Sequence, residues 1–240
     1  MRWHIIEGEA GCRYALNHGC TAIIVDALRA SATAALLLHK GATEILAVCE
    51  VDEAFAAKQR YPEALLYGER GGLPPEDFDY GNSPLEAQAA KGRRVIFTTT
   101  TGAGRLISAW GADAVFMGST VNATAVAHAA AQRDADAVLI PAGLTGDPAF
   151  DAQEDRVAAA AIAMAARAEV CEGQELYAYW RPRIEAEGLA ALFTSAPHAE
   201  KLRRIGRTED IHYCAQMDVT SAVPTALART EDGILIRRGA

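Results

Sequence analysis

Charged side chains directly follow several short apolar runs in this chain of 240 residues. Asp26 and Arg29 follow one run, and Glu69 and Arg70 follow another, where they stand between glycines. Carboxylates bind cations and exchange protons, whereas guanidinium groups hold anions through several fixed N–H donors. Asp26 also suits a helix cap, but Arg29 beside it favours a chemical role. The pattern indicates a polar site that handles an anionic compound.

A run of four threonines precedes a Gly-Ala-Gly turn and an arginine. Hydroxyls and free backbone amides at a helix N-terminus suit an anion. Thr99, Thr100, Gly102 and Arg105 are therefore predicted to bind substrate. The alternatives are strand propensity for the threonines and ordinary surface cations for Arg29 and Arg105.

The segment 68–84 is too long and too rich in glycine and proline to be a tight connection. Long ordered loops in compact domains are usually functional. Its first part holds Glu69 and Arg70, for which function is the favoured interpretation. Its last part, Asn82 and Ser83 before a proline, is typical of a helix start, and both residues are also candidate substrate contacts.

The elements that position these residues are βα units, because β-branched apolar runs alternate with alanine-rich stretches of helical period. Strands are predicted at 21–25, 44–49, 64–67, 94–98, 114–117 and 137–140, and helices at 30–39, 52–60, 84–91, 103–110, 122–132 and 153–170. Runs that are apolar throughout are typical of strands buried on both faces. The sequence therefore predicts a three-layer α/β/α fold with a largely parallel sheet. Ligands of such sheets bind at the carboxyl ends of strands, where the polar residues fall.

The C-terminal part has a different pattern. After residue 171 it is helical to about residue 206, with strands expected at 211–214 and 233–237. Whether this part completes the sheet or forms a helical cap is left open. No low-complexity linker interrupts the chain, so one domain is expected over 1–240.

Charge, cysteine content and the length of the apolar runs indicate which partners and which location to expect. The formal net charge of −8 leaves no basic surplus for a phosphate backbone, so no nucleic-acid partner is expected. The five cysteines show no Cys-x-x-Cys pair and are typical of reduced thiols. Neither a signal peptide nor an apolar run long enough to span a membrane is found. A cytoplasmic protein without a membrane partner is expected.

Several other chemistries find little support. Asp26 lacks the second aspartate of haloacid dehalogenase-type phosphatases, and the Gly-x-Ser-x-Gly nucleophile elbow is absent. No histidine pair has the spacing of a zinc site. The pair Gly102 and Gly104 lacks the third glycine of a dinucleotide fingerprint, so a nucleotide-dependent oxidoreductase is a weak alternative.

The residues resemble the 2-phosphosulfolactate phosphatases of coenzyme M biosynthesis and their bacterial relatives. The specific part is Gly68-Glu-Arg-Gly-Gly with the downstream Phe78-Asp-x-Gly-Asn-Ser-Pro84. Similar stretches are 25–33, 98–105, 142–143 with 154–155, 210–218 and 223–224, so the resemblance covers most of the chain. Thr101 and Pro141 depart from the family pattern, which commonly has Asn and often Cys there. Pro141 argues against a cysteine nucleophile at that position.

The resemblance implies a Mg²⁺-dependent phosphatase that hydrolyses 2-phosphosulfolactate or a related 2-hydroxy acid phosphate. This small substrate carries phosphate, carboxylate and sulfonate, which arginines are suited to bind; the candidates are Arg29, Arg70 and Arg105. Mg²⁺ prefers oxygen ligands. The predicted ligands are Asp26, Glu69 and Asp155, with Glu154 in reserve.

Catalysis is assigned to the charged residues of this set, namely Asp26, Arg29, Glu69, Arg70 and Asp155. One carboxylate would orient or deprotonate the attacking water, and a covalent aspartyl intermediate at Asp26 is the alternative. A non-catalytic anion-binding or regulatory domain is the main alternative of another class. A symmetric homo-oligomer is expected for such an enzyme.

Overall fold

The computed structural model describes residues 1–147 and 149–239, and within them the chain forms nine strands and ten α-helices. The strands are Trp3–Ile5 (β1), Thr21–Val25 (β2), Glu44–Ala47 (β3), Leu65–Gly68 (β4), Arg94–Thr98 (β5), Ala114–Met117 (β6), Ala137–Pro141 (β7), Pro224–Thr230 (β8) and Gly233–Arg238 (β9). The helices are Gly8–His18 (α1), Ala30–His39 (α2), Val51–Arg60 (α3), Gly102–Ser108 (α4), Ala123–Ala131 (α5), Gln153–Ala165 (α6), Gln174–Glu187 (α7), Leu189–Thr194 (α8), Pro197–Arg204 (α9) and Thr208–Cys214 (α10). Two 3₁₀ helices span Pro84–Ala90 and Thr120–Asn122.

All nine strands join one mixed sheet in the order β1-β7-β2-β6-β8-β9-β3-β5-β4. The strands β1, β7, β2 and β6 are parallel and form the first half; β3, β5 and β4 are parallel and form the second half. The α/β fold with a largely parallel sheet flanked by helices is thus confirmed. β2 is buried along its whole length, as expected for a strand covered on both faces.

The C-terminal hairpin β8–β9 lies between the two halves. β8 is antiparallel to β6, β9 is antiparallel to β8, and β3 is antiparallel to β9. The two halves therefore run in opposite directions, so carboxyl strand ends share one edge only within each half. A bulge between Ala226 and Ala228 interrupts the hairpin, and bulges bend strands and increase their twist.

Two helices connect the halves. α2 is buried on every side from Ala30 to Leu38 and packs against β6, the hairpin and β3. Its apolar residues cover all faces, as is typical of a central helix. α4 follows β5 of the second half but packs against α1 and β2 of the first half. The N-termini of α2 and α4 consequently lie close together, although their strands belong to opposite halves.

The C-terminal helices form a further layer on α6. α7, α8 and α9 pack on α6, and α10 packs against α8, α9 and the 3₁₀ helix Pro84–Ala90. The predicted helical C-terminal part is therefore present. No described helix is long and apolar enough to cross a membrane.

Some predicted elements differ from the structure. The strand expected at 211–214 is wrong: these residues belong to α10, whose buried residues Asp210, Ile211 and Cys214 follow helical spacing. The segment expected as a helix at 84–91 is a 3₁₀ helix. The helix expected at 153–170 ends at Ala165, and Arg167 has a positive φ of 50°. β1, α1 and β8 had not been predicted.

Candidate active site

A cavity of about 270 Å³ lies where the loops after β2, β4, β5 and β7 meet α9. It therefore collects residues from both halves of the sheet and from the C-terminal helices. The lining consists of Asp26, Leu28, Arg29, Glu69, Gly71, Gly72, Asn82, Thr100, Thr101, Gly143, Leu144, Thr145, Phe150, Glu154, Asp155, His198 and Lys201.

Asp26 begins the turn from β2 into α2. Its Oδ1 accepts a hydrogen bond of 3.2 Å from Ala30 N, so the helix-cap role is present. Its Oδ2 accepts no hydrogen bond from the described residues. Burial raises the pKa of Asp26 to about 6, and repulsion from Glu69 and Glu154 adds to the shift, whereas Ala30 N and His198 oppose it. A carboxylate with this pKa exchanges protons near neutral pH.

Gly102, the first residue of α4, permits the close approach of α4 to Asp26. A Cβ at this position would lie 2.8 Å from the Cβ of Ala30 and 2.9 Å from Asp26 Oδ2. Both distances are well below van der Waals contact. The glycine is therefore required by lack of space, and it fixes one wall beside the Asp26 carboxylate.

Glu69 connects two loops of the second half. Its Oε2 accepts a hydrogen bond of 2.7 Å from Gly72 N, and its Oε1 accepts one of 2.8 Å from Thr100 N. The first contact closes the loop after β4, and the second ties it to the loop after β5. Glu69 thus holds the two loops of this cavity wall at a fixed distance.

Asp155 has the same arrangement in the first half. Its Oδ1 accepts a hydrogen bond of 2.8 Å from Ala27 N in the loop after β2. Its Oδ2 accepts a hydrogen bond of 3.1 Å from Gly143 N in the loop after β7. Burial raises the pKa of Asp155 well above the ordinary value, with repulsion from Glu154 and Asp26 adding to it. The two backbone N–H groups oppose this shift, because they stabilise the ionised form.

Glu154 differs from these two carboxylates. Its side chain is only 2% exposed, and its Oε1 lies 2.9 Å from Nδ1 of His198 on α9. Its Oε2 is buried and has no hydrogen-bond partner among the described residues. An unpaired buried carboxylate oxygen is costly. Glu154 therefore presents a strong acceptor to a cation or a proton donor in the cavity.

Arg29 lines the cavity but is already paired. Its Nη1 lies 2.6 Å from Asp210 Oδ2, and its Nη2 donates to Gly72 O at 2.7 Å. Ser83 Oγ donates to the other Asp210 oxygen at 2.5 Å. Arg29 and Asp210 are both 2% exposed, so this buried ion pair fixes α10 against the cavity wall.

Comparisons with known proteins identify the family of this chain. Residues 10–228 match the model of the 2-phosphosulpholactate phosphatase family. The chain belongs to that family. The family prediction made from the sequence is therefore confirmed, together with the enzyme class, a phosphoric monoester hydrolase.

Curated members of the family align over most of the chain. A protein of Deinococcus radiodurans is 37% identical over 85% of this chain and 86% of its own length. A protein of Carboxydothermus hydrogenoformans is 34% identical over 84% of both chains, and one of a Picosynechococcus species is 32% identical over 89% and 90%. Each is named a probable 2-phosphosulfolactate phosphatase.

The structure brings together in one cavity wall most of the residues that the sequence predicted for the site. The predicted residues in the cavity wall are Asp26, Arg29, Glu69, Asn82, Thr100, Glu154 and Asp155. Asn82 has a buried Oδ1 without a partner among the described residues. Thr99 Oγ1 accepts a hydrogen bond from Ala103 N at 3.2 Å, so it serves the first turn of α4.

Two predicted arginines, Arg70 and Arg105, are not part of the cavity wall. Arg70 donates to Cys49 O at 2.6 Å and to Thr98 Oγ1 at 3.0 Å. Arg105 Nε donates to Ala142 O at 3.0 Å, and Arg105 Nη1 donates to Glu9 Oε2 at 3.1 Å. Both side chains hold loops together around the site.

Sequence reasoning missed the contribution of α9, which supplies His198 and Lys201 to the cavity. The ring of His198 also contacts Phe150, with ring centroids 5.6 Å apart. The available signal was weak: a proline that begins a helix, with His198 and Lys201 three positions apart. Nothing in that pattern places α9 beside the strand ends.

The charge balance of the wall is acidic. Four carboxylates line it, from Asp26, Glu69, Glu154 and Asp155, against one guanidinium group, from Arg29, and one ammonium group, from Lys201. The charge of Arg29 is also offset by its buried ion pair with Asp210. An anionic substrate therefore needs additional positive charge in this cavity.

Proposed function

We propose that this chain is a Mg²⁺-dependent phosphatase that hydrolyses 2-phosphosulfolactate or a closely related 2-hydroxy acid phosphate. Membership of the family supports the reaction, and the names of the curated relatives support the substrate. The observation that carries the site assignment is a pair of carboxylate oxygens in one acidic cavity, Glu154 Oε2 and Asp26 Oδ2, which accept no hydrogen bond from the described residues.

The donor set suits Mg²⁺. Among the described residues, no three His, Cys, Asp or Glu side chains converge as a complete metal cage. Mg²⁺ does not require one, because it keeps several waters and uses one or two carboxylates with substrate phosphate oxygens. We assign Glu154 Oε2 to the metal. Bound there, the ion would offset the wall charge and stabilise charge on the phosphoryl oxygens.

We assign Asp26 to the attacking water. Its pKa of about 6 allows it to accept a proton from water near neutral pH. The water oxygen forms a new bond to phosphorus, and the bond between phosphorus and the substrate 2-oxygen breaks. The leaving oxygen keeps the electron pair and takes up the proton that Asp26 accepted from water, which gives the 2-hydroxy acid and inorganic phosphate and restores the Asp26 carboxylate.

Glu69 and Asp155 act as positioning residues in this proposal. Each carboxylate holds two loops of the wall through a pair of backbone N–H groups. Their fixed geometry keeps the reacting groups at a constant separation, which lowers the cost of orienting substrate and water. Asn82 and Thr100 remain candidate substrate contacts in the same wall.

The alternative of a non-catalytic anion-binding domain makes opposite predictions. Purified protein should release phosphate from 2-phosphosulfolactate with Mg²⁺, stop releasing it after addition of a chelator, and lose at least ~100-fold in rate in Asp26→Asn. Asp134→Asn removes an exposed carboxylate remote from the cavity and is the matched control. Tight binding without any phosphate release would favour the binding domain.

A further inference from the structure

The cationic side chains in and around the cavity differ in whether they already have a bonding partner. Arg29 is buried and paired with Asp210. Arg70 and Arg105 are not part of the cavity wall, and their guanidinium groups already donate to oxygen atoms of neighbouring loops. Lys201 is exposed, lines the cavity, and makes no ion pair or hydrogen bond with the described residues. It is therefore the lining cation that is ready to pair with an incoming anion.

Lys201 and the buried carboxylates differ in depth. Glu154 is 2% exposed, and Asp26 is half-buried in the same wall. The exposed Lys201 projects from α9, which also carries His198, the partner of Glu154. For a substrate whose phosphate lies among these carboxylates, Lys201 is the cation on the exposed side of the same cavity.

The chemistry of an ammonium group fits a sulfonate. A sulfonate presents three equivalent oxygens around one axis, whereas the planar fork of an arginine matches two coplanar oxygens. Lysine is a compact point charge with three donors on a flexible stem. Lys201 thus offers a counter-charge that adjusts to the end of a three-carbon substrate.

We propose that Lys201 is a specificity-determining residue that binds the non-reacting sulfonate of the substrate. The inference rests on the proposed function and extends it from the reacting phosphate to the opposite end of the same molecule. Lys201 contributes to discrimination between substrates and takes no part in breaking the phosphate ester.

The test compares 2-phosphosulfolactate with 2-phospholactate, which keeps the phosphate and carboxylate but lacks the sulfonate. Lys201→Met should lower kcat/KM for 2-phosphosulfolactate by about 10- to 100-fold, mainly through KM, as expected for a lost charge-assisted hydrogen bond. For 2-phospholactate the value should stay within about twofold. Lys201→Arg should recover part of the loss.

Arg204→Met is the matched control. It removes one positive charge from the same helix, at an exposed residue that pairs with Glu200 outside the cavity. Its ratio of kcat/KM for the two substrates should equal that of the wild type. Equal losses on both substrates in Lys201→Met, or no loss on either, would overturn the proposal.

Failure of the proposed function is distinguishable from failure of this inference. If the wild type hydrolyses neither compound, the phosphatase assignment is wrong. Calorimetric binding of the two compounds then tests Lys201 directly, since Lys201→Met should weaken binding of 2-phosphosulfolactate alone. Unchanged binding of 2-phosphosulfolactate, or equally weakened binding of both compounds, would overturn the role of Lys201 as well.

Discussion

Glu154 Oε1 lies 2.9 Å from Nδ1 of His198, while Glu154 Oε2 is buried without a partner among the described residues. One carboxylate thus joins α6 to α9 and keeps a free acceptor in the cavity. The free oxygen is the basis of the metal assignment. The bonded oxygen explains how α9 is held beside the strand ends.

The metal assignment predicts the effect of Glu154→Gln. Mg²⁺ at saturating concentration should raise the melting temperature of the wild type, because a ligand that binds only the folded state stabilises it. The rise should be lost or strongly reduced in Glu154→Gln, measured by calorimetry with and without Mg²⁺. Glu175→Gln, at an exposed residue of α7 remote from the cavity, should behave as the wild type does. A full Mg²⁺ response in Glu154→Gln would remove Glu154 from the metal site.

The raised pKa of Asp26 predicts a dependence of stability on pH. The folded pKa of about 6 exceeds the ordinary 3.8, so the carboxyl ionises first in the unfolded state, and this difference penalises folding as the pH rises. The penalty is absent below pH 4, grows between pH 4 and 6, and is complete above pH 6. Without divalent ions, Asp26→Asn should therefore be more stable than the wild type at pH 8, by about 3 kcal/mol.

Urea unfolding of both proteins at pH 4 and pH 8 measures this difference. Asparagine keeps an oxygen that can accept from Ala30 N, so the cap remains and the comparison isolates the charge. The stability gain should shrink towards pH 4. A variant that is less stable than the wild type at pH 8 would show that the Asp26 carboxylate is stabilising.

The close approach at Gly102 predicts a sharp contrast between two neighbouring glycines. Gly102→Ala places a methyl group against Ala30 and Asp26 Oδ2, so α4 or the carboxylate must shift. Activity should fall by about 100-fold, since small misplacements of catalytic groups have effects of this size. Gly104→Ala meets nothing within 4 Å and should keep activity and gain stability of up to ~1 kcal/mol. Steady-state phosphate release and thermal unfolding measure both variants, and equal behaviour would contradict the steric argument.

The buried ion pair of Arg29 and Asp210 predicts that replacing the Asp210 carboxylate by an amide strongly lowers the free energy of unfolding. Asp210→Asn leaves the guanidinium buried without a counter-charge, which should cost about 3–5 kcal/mol of unfolding free energy. Asp218→Asn provides a contrast, because Asp218 is exposed and bonds only to Thr124 among the described side chains. Denaturant unfolding measures both. A loss below ~1 kcal/mol in Asp210→Asn would indicate that Arg29 finds another partner or water.

The first part of the fold was predictable because its strands are short apolar runs that end at polar residues. β2 and β5 have the predicted bounds, and the residues after them do line the cavity. The antiparallel insertion of β8–β9 was not predictable, since β8 is largely half-exposed or exposed and lacks an apolar run. The sequence also does not reveal that the two halves run in opposite directions.

The site was predictable where a residue stands at a strand end and unpredictable where only tertiary packing brings it in. Asp26 and Glu69 belong to the first kind. His198 and Lys201 belong to the second, because α9 reaches the cavity through its packing on α6. The sequence also does not distinguish the carboxylates that hold loops, Glu69 and Asp155, from those that keep an oxygen without a partner among the described residues, Asp26 and Glu154.

The most direct test of the central claim is a ³¹P NMR time course of 2-phosphosulfolactate with the wild-type protein and Mg²⁺. The predicted result is conversion of the ester signal to inorganic phosphate, arrested by a chelator, restored by excess Mg²⁺, and absent in Asp26→Asn. An ester signal that persists with Mg²⁺, or conversion that continues unchanged with the chelator or in Asp26→Asn, would contradict the claim.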